Sequence, residues 1–363
     1  MTYRAILISS VLAVSVPVAA VALPFNLDQR RSLIENAPEA ASYCMAPNAE
    51  ITLDLAPITA LEPTDEYGSD QAAQDFSWTV MVLGSRALAG DEAASKQLIL
   101  LLQHWAAAGA FERTPDIHDA HYALKRALLP TVISYGIVRD QTGNSQQLVI
   151  DAWLGRLVAK IDRTFDGDVD FNNHRYLADS ILAVWSNISR DQNLGLKAAS
   201  RVRDALVNQL RANGSWPLET RRGARALWYT RQSLASMTLM IQTLRLSGTD
   251  LLEDAEIAEG YDKALTFFLD SLRSPSLVVR YAAENYIPGP SQDYWAQDLG
   301  FLETRGHDRH YMAWAEMARR MTPNPDLRHR LSALLDRIPA DEFPLIDEFS
   351  GGNGTCFWGV LNG

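Results

Sequence analysis

The stretch ARALWYTRQSLASMTLMIQTLRL, residues 224–246, decides the fold class. Leu234, Met237, Ile241 and Leu244 are spaced three and four residues apart, and this period brings apolar side chains to one face of an α-helix. The same period recurs in other runs, whereas convincing alternating strands are scarce. Those runs are residues 72–88, 95–108, 120–138, 146–164, 176–188, 194–210, 257–272 and 311–321.

Short breaks rich in turn residues separate the runs, for example at residues 140–144, 166–168 and 213–215. Such breaks are typical of antiparallel neighbouring helices. A regular solenoid would show a repeat of fixed period, and the sequence has none. We therefore predict an all-α fold, an α/α toroid formed as an incomplete barrel of antiparallel helical hairpins. Residues 23–70 and 349–363 are poor helix material, and we expect extended arms or loops there.

Residues 1–22 have the features of a signal peptide. Arg4 supplies the positive start, an apolar run follows, and Ala20-Val21-Ala22 is a small-x-small cleavage site. A membrane anchor is the alternative, but the apolar run is shorter than the ~20 residues that a span requires. We predict a periplasmic or secreted protein without membrane contact after signal removal, and one α/α-toroid domain over residues 23–363.

The two cysteines, Cys44 and Cys356, stand near opposite ends of the expected mature chain. In an exported protein, one disulfide between them would tie the two ends together. Two unpaired buried thiols are the alternative, because sequence does not give their separation in space. We predict the disulfide.

The net charge of −11 predicts a surface that repels nucleic acid and anionic membranes. Residues 211–231 depart from this balance, because they contain five arginines and one acidic residue, Glu219. Such a segment can attract a polyanion into a cleft, and a solvated helix face is the alternative interpretation. We expect a polyanionic substrate, and we expect the protein to be a monomer.

Two polar blocks stand at the start of long helical runs: NNHRY at residues 172–176 and RRGARALWY at residues 221–229. Together they supply an amide, an imidazole, guanidinium groups and a phenol. β-Elimination in a uronic acid polymer requires such groups to neutralise the sugar carboxylate, remove the C5 proton and protonate the departing oxygen. This chemistry requires no metal or nucleotide, and we predict no cofactor.

Both blocks also have simpler interpretations. One asparagine of NNHRY is a natural helix N-cap, and a lone histidine such as His174 is ordinarily an interior residue. If the second block is helical from Gly223 onward, Arg222 and Tyr229 lie nearly two turns apart on one face, and Arg225 aligns with Tyr229. A salt-bridged surface helix is the alternative there.

NNHRY, followed by NGSWPLETRRGARALWY at residues 213–229, resembles the alginate lyase family of poly-mannuronate lyases, polysaccharide lyase family five. The similarity covers roughly residues 168–246 and implies a helical toroid that cleaves alginate. By position it implies that Asn173 and Arg222 neutralise the carboxylate, that His174 accepts the proton and that Tyr229 protonates the leaving oxygen. Whether His174 or Tyr229 removes the C5 proton stays open.

Further side chains are expected to bind the acidic polysaccharide. Trp216 and Trp228 flank the arginine segment and can stack on sugar rings, although core tryptophans are equally common. A second polar cluster at residues 305–311 is expected to line the same cleft. His307, Asp308 and His310 of that cluster also resemble a metal site, but a fourth spaced ligand is missing and we predict no metal. The remaining predicted contacts are Arg175, Arg225, His310 and, in a lid, Tyr67.

Leu177, Trp228 and Thr230 depart from the family pattern beside the catalytic groups, so another uronan such as glucuronan is an alternative substrate. A glycoside hydrolase is a second alternative, which would require two carboxylates flanking the scissile bond. The candidates for that pair are Asp168, Asp170, Glu219 and Glu284. A non-catalytic binding or assembly protein for an acidic polysaccharide is the third.

Overall fold

The computed structural model describes residues 23–62, 71–164, 171–285 and 291–359. The predicted signal peptide and Tyr67 lie outside these residues, so both remain predictions. The helices, in chain order, are α1 (Leu27–Glu35), α2 (Pro38–Met45), α3 (Gln71–Leu88), α4 (Glu92–Ala107), α5 (His118–Val138), α6 (Asn144–Thr164), α7 (Asn173–Ser189), α8 (Gln192–Arg203), α9 (Pro217–Thr220), α10 (Ala226–Leu246), α11 (Ala255–Arg273), α12 (Ser276–Ala282), α13 (Ala313–Met321), α14 (Pro325–Leu335) and α15 (Gly354–Trp358). Strands β1 (Ile346–Asp347) and β2 (Gly352–Asn353) form an antiparallel pair, with Ile346 opposite Asn353.

The helices form an inner and an outer layer. Inner helices α3, α5, α7, α10 and α13 each pack against the next one along the chain, and α4, α6, α8, α11 and α14 pack outside them. The inner helix α5 is buried from Ala120 to Val138 except at Arg126, whereas the outer helix α11 buries one face. A helix that is apolar on all sides belongs in an interior, and a one-sided helix belongs at a surface. The predicted α/α toroid is confirmed.

Both ends of the described chain fill the gap between α13 and α3. Helix α15 packs on α13 and α2, α2 packs on α3, and β2 also contacts α3. A disulfide joins Cys44 of α2 to Cys356 of α15. Buried Arg30 of α1 donates hydrogen bonds to the carbonyl oxygens of Cys356, Thr355 and Gly359 at the end of α15. The ring of inner helices is therefore completed by the terminal segments.

The expectation of extended arms or loops was wrong for α1, α2 and α15, which are helical, and right for residues 46–62, which contain no helix or strand. The Asn26 side chain accepts from the Gln29 amide and caps α1, Pro38 is the first residue of α2, and Asn353 caps α15 by accepting from the Cys356 amide. Each is a start signal that can be read from sequence. These helices were missed because they are too short to show the helical period clearly.

One hydrophobic core extends from Leu23 to Trp358 and includes side chains from every inner helix. Within the described ranges, no helix combines the length and the apolar character needed to cross a membrane.

Candidate active site

The N-terminal halves of the inner helices α5, α7 and α10 line a cavity of about 540 Å³. The rest of its wall comes from irregular segments and the C-terminal region. The lining residues are Tyr122 and Arg126 of α5, His174 of α7, Trp228, Tyr229 and Gln232 of α10, and Arg225, Asp298, Arg305, Tyr311 and Phe349. Helix N-termini carry partial positive charge, so this end of the toroid favours an anionic ligand.

The two asparagines at the start of α7 have different tasks. Asn172 is the N-cap, and its side chain accepts from the His174 amide at 2.9 Å. Asn173 lies directly behind the cavity wall and is 1% exposed. Its Nδ2 donates to Gln232 Oε1 at 2.6 Å, and its Oδ1 accepts from Arg222 Nη2 at 3.4 Å. Asn173 thus connects a cavity residue to a buried guanidinium.

Gln232 extends this network to α5. Its Nε2 donates to the Tyr122 hydroxyl at 2.9 Å, so both ends of the Gln232 amide are bound. Behind Gln232, the buried carboxylate of Glu219 accepts from the backbone N–H of Asn173 at 2.7 Å and from Ser233 Oγ at 3.0 Å. Burial raises the pKa of Glu219, while Arg222 and these two hydrogen bonds oppose the rise. The N-terminal halves of α5, α7 and α10 are therefore fixed relative to one another by buried polar contacts.

Arg222 stacks on Tyr229, but not because both lie on one helix. Helix α10 begins only at Ala226, after a 3₁₀ turn at Gly223–Arg225. Gly223 has φ of +56°, and a Cβ there would lie 2.8 Å from Asn285 Oδ1, so the turn requires glycine. The turn brings the buried Arg222 guanidinium to 4.0 Å from the centre of the Tyr229 ring. The proximity inferred from the sequence is present, with a different backbone route.

His174 faces the cavity from a strongly cationic environment. Its ring contacts the rings of His118 and Tyr122, with centroids 4.2 and 4.4 Å away. Burial, followed by the charges of Lys125, His118 and Arg222, lowers the pKa of His174 well below its ordinary value. The lowered pKa favours the neutral imidazole at neutral pH, which is the form that can accept a proton.

Three arginines line the cavity, and they differ in how they are held. Arg126 forms an ion pair with buried Glu348, and Arg225 lies 3.7 Å from Asp298. Arg305 is exposed, its guanidinium lies 5.2 Å from the centre of the Trp228 ring, and among the described residues no ion pair includes it. Arg305 is thus the cavity arginine best able to take an anion without breaking an existing pair.

Phe349 of the C-terminal segment forms the floor of the cavity. Two buried acids, Asp347 and Glu348, directly precede it. Burial and the neighbouring Glu348 raise the pKa of Asp347 to about 8. Burial alone would raise the pKa of Glu348, but Arg126 and Arg309 lower it to about 2. Glu348 therefore carries the negative charge of this pair. It forms ion pairs with both Arg126 and Arg309, so this group keeps a net positive charge beside the cavity.

Three residues predicted to bind the polymer lie elsewhere, and these expectations are corrected. Arg175 is buried in an ion pair with Asp179, at 3.0 Å. Trp216 is 1% exposed and its Nε1 donates to the Ala205 carbonyl oxygen, so it is a core tryptophan. His310 is fully buried, accepts from the Met312 amide and lies 3.4 Å from Glu342. The segment containing residues 211–231 contributes one arginine, Arg225, to the cavity wall.

The cluster at residues 305–311 divides between three environments. Arg305 and Tyr311 line the cavity, His307 contacts Asp75 of α3, and His310 points into the interior. Among the described residues, no group of three or more His, Cys, Asp or Glu side chains is arranged to hold a metal ion.

Tyr122, Arg126 and Gln232 line the cavity but were not predicted from the sequence as site residues. Tyr122 and Arg126 are one turn apart on α5, and Gln232 follows Tyr229 by three residues on α10. Polar residues at these steps inside otherwise apolar runs were the available signal. Of the carboxylates considered for hydrolysis, Glu219 is bound behind the wall, Glu284 is exposed near the end of α12, and Asp168 and Asp170 lie outside the described residues.

Comparisons with known proteins agree with this geometry. A family model described as alginate lyase matches residues 35–276, about two thirds of the chain. A protein of Stenotrophomonas maltophilia (strain K279a), called polysaccharide lyase, is 26% identical over 194 residues, which span 53% of this chain and only 56% of that relative.

Solved structures show the same fold. Alginate lyase A1-III from Sphingomonas species A1 matches with a TM-score of 0.69 and 19% identity, over 95% of this chain and 99% of that one. A tyrosine-to-phenylalanine variant of A1-III complexed with tetrasaccharide matches with a TM-score of 0.74 and 20% identity, over 96% and 100% of the two chains. An alginate lyase from Bacteroides ovatus matches with a TM-score of 0.65 and 13% identity, over 95% and 100%. Given the extent of the family-model match, this chain belongs to the alginate lyase family.

Proposed function

We propose that this protein is a polysaccharide lyase that cleaves a uronan, alginate foremost, by β-elimination. The observation that carries the proposal is the pairing of a neutral imidazole, His174, with the phenol of Tyr229 on one arginine-lined cavity. Proton removal and proton delivery are the two transfers that elimination requires, and both groups suit them.

The substrate carboxylate must be neutralised before the C5 proton becomes acidic enough to leave. Arg222 and Asn173, hydrogen bonded to each other directly behind Tyr229 and Gln232, are the proposed source of this stabilisation at the reacting sugar. A fixed guanidinium and amide stabilise the enolate charge as it develops, as the donors of an oxyanion hole do. Their burial raises the strength of this interaction, because little water screens it.

Elimination then requires one bond to C5 and one bond to C4 to break. His174 or the Tyr229 phenolate removes the C5 proton, a C4–C5 double bond forms, and the C4–O bond breaks. Tyr229 protonates the departing oxygen, which becomes the hydroxyl group of one product, while the other product has an unsaturated uronate at its new non-reducing end. The sugar's stereochemistry at C4 and C5 decides which residue acts as base.

Binding of the polymer is assigned to the remaining wall. Arg126, Arg225 and Arg305 supply positive charge along the cavity, and half-buried Trp228 supplies an aromatic face for a sugar ring. Arginine forks bind carboxylates in two-pronged fashion, so a chain of uronates suits this lining. The A1-III relatives complexed with tetrasaccharide carry substitutions of a tyrosine or a histidine, which supports an oligosaccharide ligand and roles for these residue types here.

Export followed by removal of residues 1–22 completes the proposal. The features of residues 1–22 support it, and N-terminal sequencing of the secreted protein would test it. We expect a mature chain starting at about Leu23. A retained Met1 in the active fraction would contradict this expectation.

A panel of uronans tests the activity. Incubation with poly-mannuronate, poly-guluronate and glucuronan should give an ultraviolet-absorbing unsaturated uronate with at least one polymer, together with new reducing ends. Reducing ends without the chromophore would indicate a hydrolase, and binding without either product would indicate an assembly protein. The matched control is Tyr229→Phe, which leaves the cavity lining almost unchanged and should form product ~10²–10⁴-fold more slowly at the same enzyme concentration.

A further inference from the structure

The loop at residues 304–309 carries Arg305 to the cavity and closes on itself. The Arg305 amide donates to the Arg309 carbonyl oxygen at 2.8 Å, and the Arg309 amide donates back at 3.1 Å. Between them, His307 and Asp308 have φ of 60° and 57°. Two successive non-glycine residues in the left-handed region are unfavourable, and such a turn persists only where surrounding contacts determine it.

Those contacts come from the first two turns of α3. His307 Nε2 lies 2.5 Å from Asp75 Oδ1, and the same carboxylate oxygen accepts from Gln71 Nε2 at 2.7 Å. Arg309 Nη2 donates to the Gln74 carbonyl oxygen at 2.8 Å. The tip of the loop is therefore bound to an inner helix of the toroid.

The opposite side of the loop faces Trp228. The Arg305 guanidinium lies over the Trp228 ring, and a Cβ at Gly300 would lie 2.4 Å from Arg305 Nη1. The Arg305 side chain thus occupies a defined path between Gly300 and Trp228. This path holds only while the turn at His307 and Asp308 keeps its shape.

We propose that Asp75 and His307 are positioning residues that hold Arg305 in the orientation that binds a uronate carboxylate. The inference rests on the proposed function, because it assigns a carboxylate subsite to Arg305. A guanidinium that is already oriented loses less conformational freedom on binding, so the pair increases affinity without touching the polymer.

The test compares KM and kcat for substitutions at the pair and at Arg305. Arg305→Gln should raise KM for a uronan about 10-fold, the size expected for one charge-assisted contact, with kcat nearly unchanged. His307→Ala should raise KM by several-fold. His307→Gln should restore much of the affinity, because glutamine Nε2 has about the reach of histidine Nε2 and can donate to Asp75 Oδ1. Gly300→Ala, which displaces Arg305 without altering the pair, should raise KM as His307→Ala does.

A double-mutant cycle separates positioning from general structural damage. Once Arg305 is glutamine, His307→Ala should raise KM no further. Additive effects of the two substitutions, or a fall in kcat that matches the fall in kcat/KM, would overturn the inference.

Trypsin cleavage measures the loop without any substrate. His307→Ala should make the bond after Arg305 cleavable in the otherwise folded protein, whereas the wild type and His307→Gln should resist. Equal resistance of all three proteins would overturn the inference. If wild-type protein neither cleaves nor binds any uronan, the proposed function fails and the carboxylate subsite fails with it. If the wild type turns over a uronan normally but the KM effects of His307→Ala and Arg305→Gln are additive, only the positioning role of Asp75 and His307 is overturned.

Discussion

Polar candidates for the site were equally frequent in two kinds of region, and the structure places them differently. The first kind is the start of helices α7 and α10, and the second is the irregular segments at residues 209–225 and 304–312. From the helix starts, His174, Trp228 and Tyr229 face the cavity, whereas Asn173 lies behind its wall and Arg175 is buried against Asp179. From the irregular segments, Arg225, Arg305 and Tyr311 reach it, while Arg211 stacks on Tyr281, and Trp216 and His310 are buried. Side chains on a helix point in directions fixed by a known period, whereas each residue of an irregular segment points where its own φ and ψ direct it.

The largest expected effect tests the helix starts. Tyr229→Phe removes one hydroxyl from a residue whose ring is held by Arg222. We expect kcat to fall by ~10²–10⁴-fold, the usual contribution of a general acid or base. KM and the thermal midpoint should change little, because the ring and its stacking partner remain. Steady-state kinetics with circular dichroism melts provide the measurement, and a near-normal kcat would remove Tyr229 from the proposed chemistry.

His174 gives the next largest effect and a pH signature. His174→Gln should reduce kcat by ~10²-fold or more if the imidazole accepts the proton. Because burial and Lys125 lower the pKa of His174, its neutral form should persist below the ordinary histidine value of ~6.5. The acid limb of kcat/KM against pH should therefore lie below that value in the wild type. A limb at or above ~6.5 would show that another group controls proton removal.

The lowered pKa of His174 also predicts how the free energy of unfolding changes with pH. A histidine whose pKa is lower in the folded state contributes stability above its unfolded value of ~6.5, and this contribution is lost as pH falls below it. Burial lowers the pKa of His121 to about 4, so it acts in the same direction over the same interval. The free energy of unfolding should therefore decline between pH ~6.5 and 4, and His174→Gln should flatten that decline. An unchanged slope in the variant would contradict the direction assigned to His174.

Helical positions could be predicted from the sequence because period and caps are local. Helix α7 was placed within three residues of its start, and one of the two asparagines there was predicted to be the N-cap, which is Asn172 in the structure. Both predictions depend on neighbouring residues alone. The network around Asn173 could not be predicted in this way. Gln232, Tyr122 and Glu219 meet Asn173 only after α5, α7 and α10 pack together, and no local pattern fixes the register of three helices.

Arg222 tests the boundary between the two kinds of region, since it precedes α10 yet stacks on a residue of that helix. Arg222→Lys keeps the charge but loses the flat guanidinium and its bond to Asn173, so we expect kcat to fall about 10-fold with modest loss of stability. Arg222→Ala should cost more in both quantities, because it leaves the buried Glu219 carboxylate without its cation, 3.7 Å away. If both variants change only the thermal midpoint, Arg222 has a structural role and the carboxylate must be neutralised elsewhere.

The smallest expected effects come from a matched pair of tryptophans that sharpens the comparison. Trp228 lies on the first turn of α10 and lines the cavity, whereas Trp216 precedes α9 and donates its Nε1 to the Ala205 carbonyl oxygen inside the core. Trp228→Phe reduces the aromatic surface offered to a sugar ring. Because stacking of this kind is worth roughly 0.5–1.5 kcal/mol, KM should rise by about 2–10-fold. The thermal midpoint should stay close to that of the wild type. Trp216→Phe should do the reverse, lowering stability by about 1–3 kcal/mol through the unpaired Ala205 carbonyl and the lost volume, with KM unchanged. A raised KM in Trp216→Phe would mean that the polymer-binding surface includes the irregular segment before α9. The contrast between side chains on helices and side chains on irregular segments would then not hold for this pair of tryptophans.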